Sequence, residues 1–456
     1  MANMIALGGG IEGLPILLRI QEMGHTLIVV DGNTLSPGMQ IADVPVYASC
    51  YHADQVLPAL GYAYHRTGLK PEACLCCAVD APNVSAAVAS AYGLPGLSPE
   101  AAALSVDKFS QKNALRLSGL PVPDYRQVMD LPGGPYYSVS KYINYPTVVK
   151  PMDSRGARGV SLLQPGDDAV PAMQAAQDAS PTGRVLMERY LPGPQLSTES
   201  IVVAGRVLFT AVALRNYDRL AEFAPHIVED GCDAPVTWDS HIGIGNDVLR
   251  LPAAIDELIT NACKALGWFQ TGGGTVKGDL IIHTLEEGID QLVILELAAR
   301  LSGGFLSTHT IPLAYGVPFV DYAIRLALGE TIETHRDGFI YPPRQVATCQ
   351  RYLFPAPADI GRHVVSVPQL YTYHNPPFID RVGLAWEESN SKARFGPALD
   401  GIRHATYAVR PGDVLRPVIS HAERMGQAIA TGATPDEARE RAQAAVAAMR
   451  GAIVLE

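Results

Sequence analysis

The sequence predicts a multidomain protein of α/β and α+β class. Three observations predict it: strand–helix alternation at the start, a long strand-rich middle, and a tail rich in β-branched residues, Pro and Gly that ends in one helix. Residues 1–104 read as an open α/β unit. MIALGGG is a strand running into a glycine turn, LPILLRIQEMG a helix ending near Gly24, and HTLIVVD the next strand. ACLCCAVD repeats the apolar run and ends on Asp80, and the Gly- and Pro-rich Gly93–Pro99 closes the unit.

The middle, residues 105–335, begins with a helix over Asp107–Ser118, stopped by Gly119, Pro121 and Pro123. Strands follow at Thr147–Lys150, Gly159–Leu163 and Val185–Leu191. ESIVVAGRVLFTAVALR reads as a hairpin turning at Ala204–Gly205. A helix over 252–266 precedes the glycine cluster TGGGTVKGD, two further strands, and a helix near 311–328 ending at Gly329. In the tail, 336–456, Thr434-Pro435-Asp436-Glu437 is a capping box with proline at the first helical position. It opens the last helix, expected over Pro435–Met449.

At 456 residues the chain should hold about two to four domains. Its 35 Lys and Arg against 46 Asp and Glu give a net charge of −11, and no basic cluster breaks it, which argues against nucleic acid as a partner. No apolar run reaches the roughly 18 residues a membrane span needs. MANMIALGGG lacks the basic region and long apolar core of a signal peptide. The seven cysteines, an odd number without framework spacing, read as reduced thiols of a cytoplasmic enzyme. Cys74, Cys76 and Cys77 lie in an apolar strand without zinc-site spacing, so they read as small buried hydrophobes.

Chemistry concentrates at two places. The first is Tyr145–Leu163, YPTVVKPMDSRGARGVSLL: a strand closing on Lys150, a loop with two glycines and two arginines, then a second strand. Backbone amides with Lys150, Arg155 and Arg158 suit a polyphosphate. The loop leads into a strand and GxxxxGK[ST] is absent, which argues against a Walker-type loop. The second is the pair VKGDLII (Val276–Ile282) and LVILELAAR (Leu292–Arg300), joined by polar residues and Gly288. A hairpin turning at Glu287–Gly288 sets Asp279 opposite Glu296, with Lys277 on the face of Asp279, and Ala298 and Arg300 on that of Glu296. Facing carboxylates repel unless a hard cation such as Mg²⁺ lies between them. The alternative is a surface hairpin with both acids in water; the apolar VILEL around Glu296 favours the buried strand.

The order Lys108, Lys150 with its glycine loop, Glu188-Arg189-Tyr190-Leu191, then Asp279, Glu296 and Arg300 resembles the ATP-grasp superfamily over roughly residues 1–335. That resemblance implies a Rossmann-like N-terminal domain (1–104), an ATP-grasp domain (105–335) with a mobile lid at about 148–200, and a small β-rich C-terminal domain (336–456). It implies ATP and Mg²⁺ as cofactors. Lys108 and Lys150 would contact phosphates, and the loop with Ser154, Arg155, Gly156 and Gly159 would cover them. Glu188 and the Leu191 backbone would hold adenine, and Gln195, where the family commonly has Glu, the ribose. Asp279 and Glu296 would carry the metal, and Arg300 would stabilise the transition states. Ser302, Gly303 and Gly304 would border an acyl phosphate. The usual Asn two residues after the metal glutamate is Ala298 here; Ala-Ala-Arg is similar to the family's amino-acid ligases. The activity implied is an ATP-dependent carboxylate–amine ligase acting on small molecules, one an amino acid, in a homodimer.

Two other activities fit parts of the chain. One is an ATP-dependent carboxylase using bicarbonate, since biotin and purine carboxylases share this layout. The other is a nicotinamide-dependent oxidoreductase: Gly8-Gly9-Gly10-Ile11-Glu12-Gly13 matches GxGxxG after a strand, and Asp31 ends the next strand. A non-catalytic nucleotide-binding regulator is disfavoured by the complete set of lysines, acids and arginine. His226 and His309 fall in the catalytic half, as substrate contacts or structural histidines. Arg215 would reach phosphate or a substrate carboxylate, or form a surface ion pair.

Overall fold

The computed structural model describes residues 1–128, 146–236, 241–244, 247–286, 288–332, 346–368 and 401–456. Tyr145, Thr237, Glu287 and much of the tail lie outside the described residues. The N-terminal unit comprises β1 (Asn3–Leu7), α1 (Leu14–Glu22), β2 (Thr26–Asp31), α2 (Pro37–Ile41), β3 (Val44–Tyr47), α3 (Ala53–Thr67), β4 (Ala73–Cys76), α4 (Pro82–Tyr92) and α5 (Pro99–Ala103). Its four strands are parallel in the order β3-β2-β1-β4. Met4–Leu7 and Leu27–Val30 are buried throughout, as strands covered on both faces must be. All seven cysteines are free and buried.

The expected strand through Asp80 ends early. Strand β4 stops at Cys76, and Ala78 turns the chain with φ +56°. Asp80 therefore lies in the loop beyond the carboxyl end of a parallel strand, where open α/β sheets place their ligands.

A small antiparallel sheet follows, built from β5 (Tyr125–Val128), β6 (Thr147–Pro151), β7 (Ser161–Leu163) and β8 (Val185–Arg189) in the order β5-β8-β6-β7, with α7 (Val170–Ala179) packed on it. This subdomain begins earlier and ends sooner than the expected 148–200, because β5 pairs with β8, whereas residues 195–203 join the next sheet. The helix before it is α6 (Lys108–Leu117), capped by Asp107, whose Oδ1 accepts the Ser110 N–H at 2.8 Å.

The rest is one ten-stranded sheet. It holds β9 (Gln195–Val203), β10 (Arg206–Asn216), β11 (Gly231–Ala234), β12 (His241–Ile244), β13 (Asp247–Arg250), β14 (Gly273–Thr284), β15 (Asp290–Ala298), β16 (Ala347–Leu353), β18 (Ile402–Tyr407) and β19 (Gly426–Gly432). A separate pair, β17 (Val364–Ser366) with β20 (Val454–Leu455), lies outside it. The expected C-terminal strands thus extend the central sheet: β11 pairs with β16, and β16 with β19. The β9–β10 turn is at Ala204–Gly205, both with positive φ.

Helix α9 (Leu251–Leu266) packs under β9, β14 and β15 in an apolar layer that includes Trp268, whose indole N–H donates to the Ala101 carbonyl at 2.7 Å. Removing that ring would cost about 3–5 kcal/mol. The helix expected near 311–328 is two: α10 (Ile311–Tyr315) and α11 (Phe319–Ala327), parted by Gly316 with φ +71° and by Pro318. Arg19 on α1 grips Asp321 on α11 through two hydrogen bonds of 2.8 and 2.7 Å, tying the N-terminal unit to the central sheet. Among the described residues no helix is long and apolar enough to cross a membrane.

Candidate active site

The three parts meet at a cavity of about 680 Å³, a size suited to a nucleotide or comparable ligand. Of the residues singled out from the sequence, Lys108, Lys150, Ser154, Arg155, Gly156, Glu188, Leu191, Gln195, Arg215, Asp279, Glu296, Arg300, Ser302, Gly303 and Gly304 line it.

The β14–β15 hairpin sets Lys277 against Ala298, Gly278 against Leu297 and Asp279 against Glu296. A bulge after Asp279 then shifts the register; such bulges re-aim side chains at sites. The two acids are surrounded by cations. Glu296 pairs with Lys108 at 3.2 Å, and Asp279 pairs with Arg215 at 2.5 Å and with Lys277. Burial opposes ionising Glu296, but Lys108, Lys277 and Lys150 outweigh it and bring its carboxyl down to about 2. Among the described residues no group of three or more His, Cys, Asp and Glu could hold a metal. Two facing carboxylates open to a cavity fit Mg²⁺, which takes one or two of them and draws its other ligands from phosphate and water.

Lys108 also donates to the Ser154 carbonyl at 2.8 Å, so the helix start holds the loop after β6. Lys150 pairs with Glu188 at 2.8 Å, and Lys112, which the sequence reading passed over, pairs with it at 3.1 Å. Glu188 is only 4% exposed. Its side chain pairs with both lysines on the cavity wall. Burial opposes its charge, and Lys112 and Lys150 hold it below the usual carboxylate range. Leu191, Ile281 and Leu295 form an apolar patch on the cavity wall.

Two other expectations are corrected. Gly159 is not among the residues lining the cavity: with φ +67°, a Cβ there would lie 2.7 Å from the Ala175 carbonyl and 2.8 Å from Ala179 Cβ on α7. Its small size serves close packing against α7. His309 is 3% exposed and off the cavity wall. It packs on Phe305 and on His404 at 4.5 Å, and burial, then His404, hold it well below its usual value, so it is a neutral core histidine. Arg215 is no surface ion pair: its side chain is 13% exposed and bridges Asp279 and Glu229, each at 2.5 Å.

The dinucleotide fingerprint is occupied from within. Asp31 Oδ2 accepts the Gly9 N–H at 2.6 Å, and Oδ1 accepts that of Asn33 at 2.7 Å. Gly38 of α2 donates to the Gly9 carbonyl at 2.8 Å, and a Cβ on Gly38 would lie 2.6 Å from Gly9 Cα. The turn has its acid engaged and Gly9 buried. Glu12 from the same turn reaches instead to Gly304, accepting its N–H at 2.7 Å.

Arg300 Nε donates to Asp80 at 2.9 Å. Sequence reasoning missed Asp80, Glu12, Tyr51, Glu229, Tyr352 and Arg424, all on the cavity wall. For Asp80 the signal was its place after a parallel strand; for Tyr352 and Arg424, far along the tail, there was none. The loop after β6 touches both flanks: Arg155 lies over the Tyr51 ring at 3.4 Å, and Gly156 accepts the His421 N–H at 3.0 Å.

Residues 397–453 match the L-amino acid ligase C-terminal domain 2. The chain is 28% identical over 139 residues to a D-alanine–D-alanine ligase of Synechococcus sp., across 29% of this chain and 42% of that relative. It therefore matches about two-fifths of the relative's length. The solved structure of an L-amino acid ligase from Bacillus licheniformis superposes with a TM-score of 0.69 at 16% identity, covering 100% of this chain and 98% of the other. A phosphoribosylglycinamide synthetase from Anaerococcus prevotii does so with 0.65 at 17% identity, covering 100% and 99%. At such identities the likeness is one of fold.

Proposed function

We propose that this chain, a member of the ATP-grasp superfamily, is an ATP-dependent ligase that joins a carboxylate to an amine through an acyl phosphate, with an amino acid among its substrates. The observation that carries the reading is the facing Asp279–Glu296 pair, ringed by Lys108, Lys150, Lys277 and Arg300 in one cavity.

A carboxylate is a poor electrophile because oxide is a poor leaving group. Its oxygen attacks the γ-phosphorus of ATP, the bond to the β–γ bridging oxygen breaks, and ADP departs. The amine then attacks the acyl carbon, phosphate leaves with the C–O electron pair, and the amine nitrogen loses a proton. The first step needs positioning and charge neutralisation more than covalent help. Lys150 and Lys108 would hold the phosphates, and the loop of Ser154–Arg158 would exclude water. Arg300 would face the developing charge beside the Ser302–Gly304 backbone. Asp279 and Glu296 would hold Mg²⁺, which when bound supplies positive charge to the phosphate oxygens.

The test is ADP and phosphate release from MgATP with mixtures of amino acids, with bicarbonate, and with neither. Release that depends on amino acids, with amide products by mass spectrometry, supports the ligase. Release that depends on bicarbonate alone replaces it with a carboxylase, and no release with either removes the reading.

A further inference from the structure

Arg424 lies between β18 and β19, outside every sequence motif above, yet it lines the cavity. Its guanidinium lies on the Tyr352 ring, with Cζ 3.5 Å from the centroid. Its Nη2 donates to Glu229 Oε1 at 3.0 Å and to the Glu229 carbonyl at 3.3 Å. Stacking and pairing fix the plane of the fork. Its Nε is buried and has no acceptor among the described residues.

The charges around it leave a surplus. Glu229 is shared between Arg424 and Arg215, and Arg215 shares Asp279 with Lys277. In these direct pairs three cations share two carboxylates, while Lys277 also lies near Glu296 and Glu199. His421, the next titratable group, adds no charge, since burial and then Arg424 hold it well below its usual value. The Glu12 carboxylate, also on the wall, is engaged by the Gly304 N–H. A buried guanidinium donor without an acceptor, on the wall of a cavity, is best completed by an anion.

The place says which anion. A Cβ on Gly304 would lie 3.1 Å from the Tyr352 hydroxyl, so Arg424 is one ring away from the backbone bordering the acyl group. Arg300 is tied to Asp80 beside that group. A second carboxylate, one that does not react, needs a second arginine.

We infer that Arg424 determines specificity for the amine substrate, receiving a free carboxylate carried by that amine. The nucleophile is then an amino acid and not ammonia or a simple amine. This rests on the ligase reading above.

An internal competition tests it. The protein is given MgATP and an equimolar mixture of neutral L-amino acids and their α-carboxamides. Only the free acids can be activated, but either can supply the amine. Mass spectrometry reads the ratio of dipeptides to dipeptide amides, which does not depend on how much protein is folded. The wild-type chain should favour dipeptides by roughly 30–100-fold. Arg424→Gln should bring the ratio near unity while product still forms, and Arg424→Lys should keep part of the preference. An unchanged ratio in Arg424→Gln, equal products from wild type, or loss of all product in both variants overturns the inference. Absence of both products from wild type overturns the ligase reading, and the inference with it.

Discussion

Arg300 Nε donates to Asp80 at 2.9 Å, joining the loop after β4 to the residue just past β15. Both side chains are 15% exposed. Burial opposes the guanidinium charge, and Asp80, then Glu296 and Glu199, outweigh it, so the arginine is held charged more firmly than usual. The pair does two things. It ties the N-terminal unit to the hairpin, and it fixes the guanidinium, whose Nη1 also donates to the Leu301 carbonyl at 3.1 Å.

Asp80→Asn should therefore lower kcat for ADP release by roughly 10–100-fold, somewhat less than loss of a group that itself faces the developing charge. KM for ATP should stay within about threefold, because the phosphate lysines are untouched. Breaking the buried pair should cost up to about 3 kcal/mol of stability, read by urea unfolding. A KM change as large as the kcat change would mean that Asp80 acts on nucleotide binding.

Much of this was legible in the sequence, and the limits have physical causes. The Asp279–Glu296 register followed from hairpin arithmetic, because strand pairing is local and its side-chain period is two. The last helix, Pro435–Gly451, followed from its capping residues, and α6 falls within the helix expected over Asp107–Ser118. What failed were contacts between distant segments. Nothing local told that Gly159 abuts α7, that His309 stacks on His404, or that β16 continues the central sheet from β11. The pairing of Glu188 with Lys112 was not legible because Lys112, one helical turn after Lys108, reads locally as a solvated lysine. It is 1% exposed, and burial, opposed by Glu188, brings its pKa down to about 8.

Glu296→Gln should abolish ADP release while leaving the circular dichroism spectrum unchanged. Its effect on stability should depend on pH. The carboxyl sits at about 2 in the fold, below its unfolded value. Its contribution is thus present above about pH 4.5 and lost as pH falls toward 2. With a quarter of the side chain open to solvent, screening reduces that contribution to about 1–2 kcal/mol. Urea unfolding at pH 6 and pH 3 should show a larger wild-type advantage at the higher pH. Near-normal turnover would remove the metal role.

Gly159→Ala should act on the small sheet and not on the chemistry. The added methyl meets the Ala175 carbonyl and Ala179, and φ +67° disfavours any side chain. Displacing α7 loosens the turn that carries Ser154–Arg158. KM for ATP should rise roughly 5–20-fold with kcat nearly unchanged, and global stability should fall by about 1–2 kcal/mol. Amide hydrogen exchange should rise in 147–189 first. A kcat loss with unchanged KM would place Gly159 at the phosphates after all.

Glu199 is wholly buried on β9, across from Lys277, and its Oε1 accepts the Ser302 N–H at 2.9 Å. Burial raises its carboxyl to about 7, with Ser302, Arg300 and Lys277 only partly offsetting it. An acid whose folded value lies above its unfolded one favours the fold while protonated. That advantage fades as pH rises from about 4.5 to 7, leaving a deficit of up to about 3 kcal/mol above it. Glu199→Gln keeps the acceptor for Ser302 and carries no charge to bury. It should match wild type near pH 4.5 and be more stable at pH 8 by about 2–3 kcal/mol, with ADP release within a few-fold. Equal stability at both pH values would mean that Glu199 stays ionised beside Lys277. A large loss of turnover despite the gain in stability would mean that its charge is needed at Ser302.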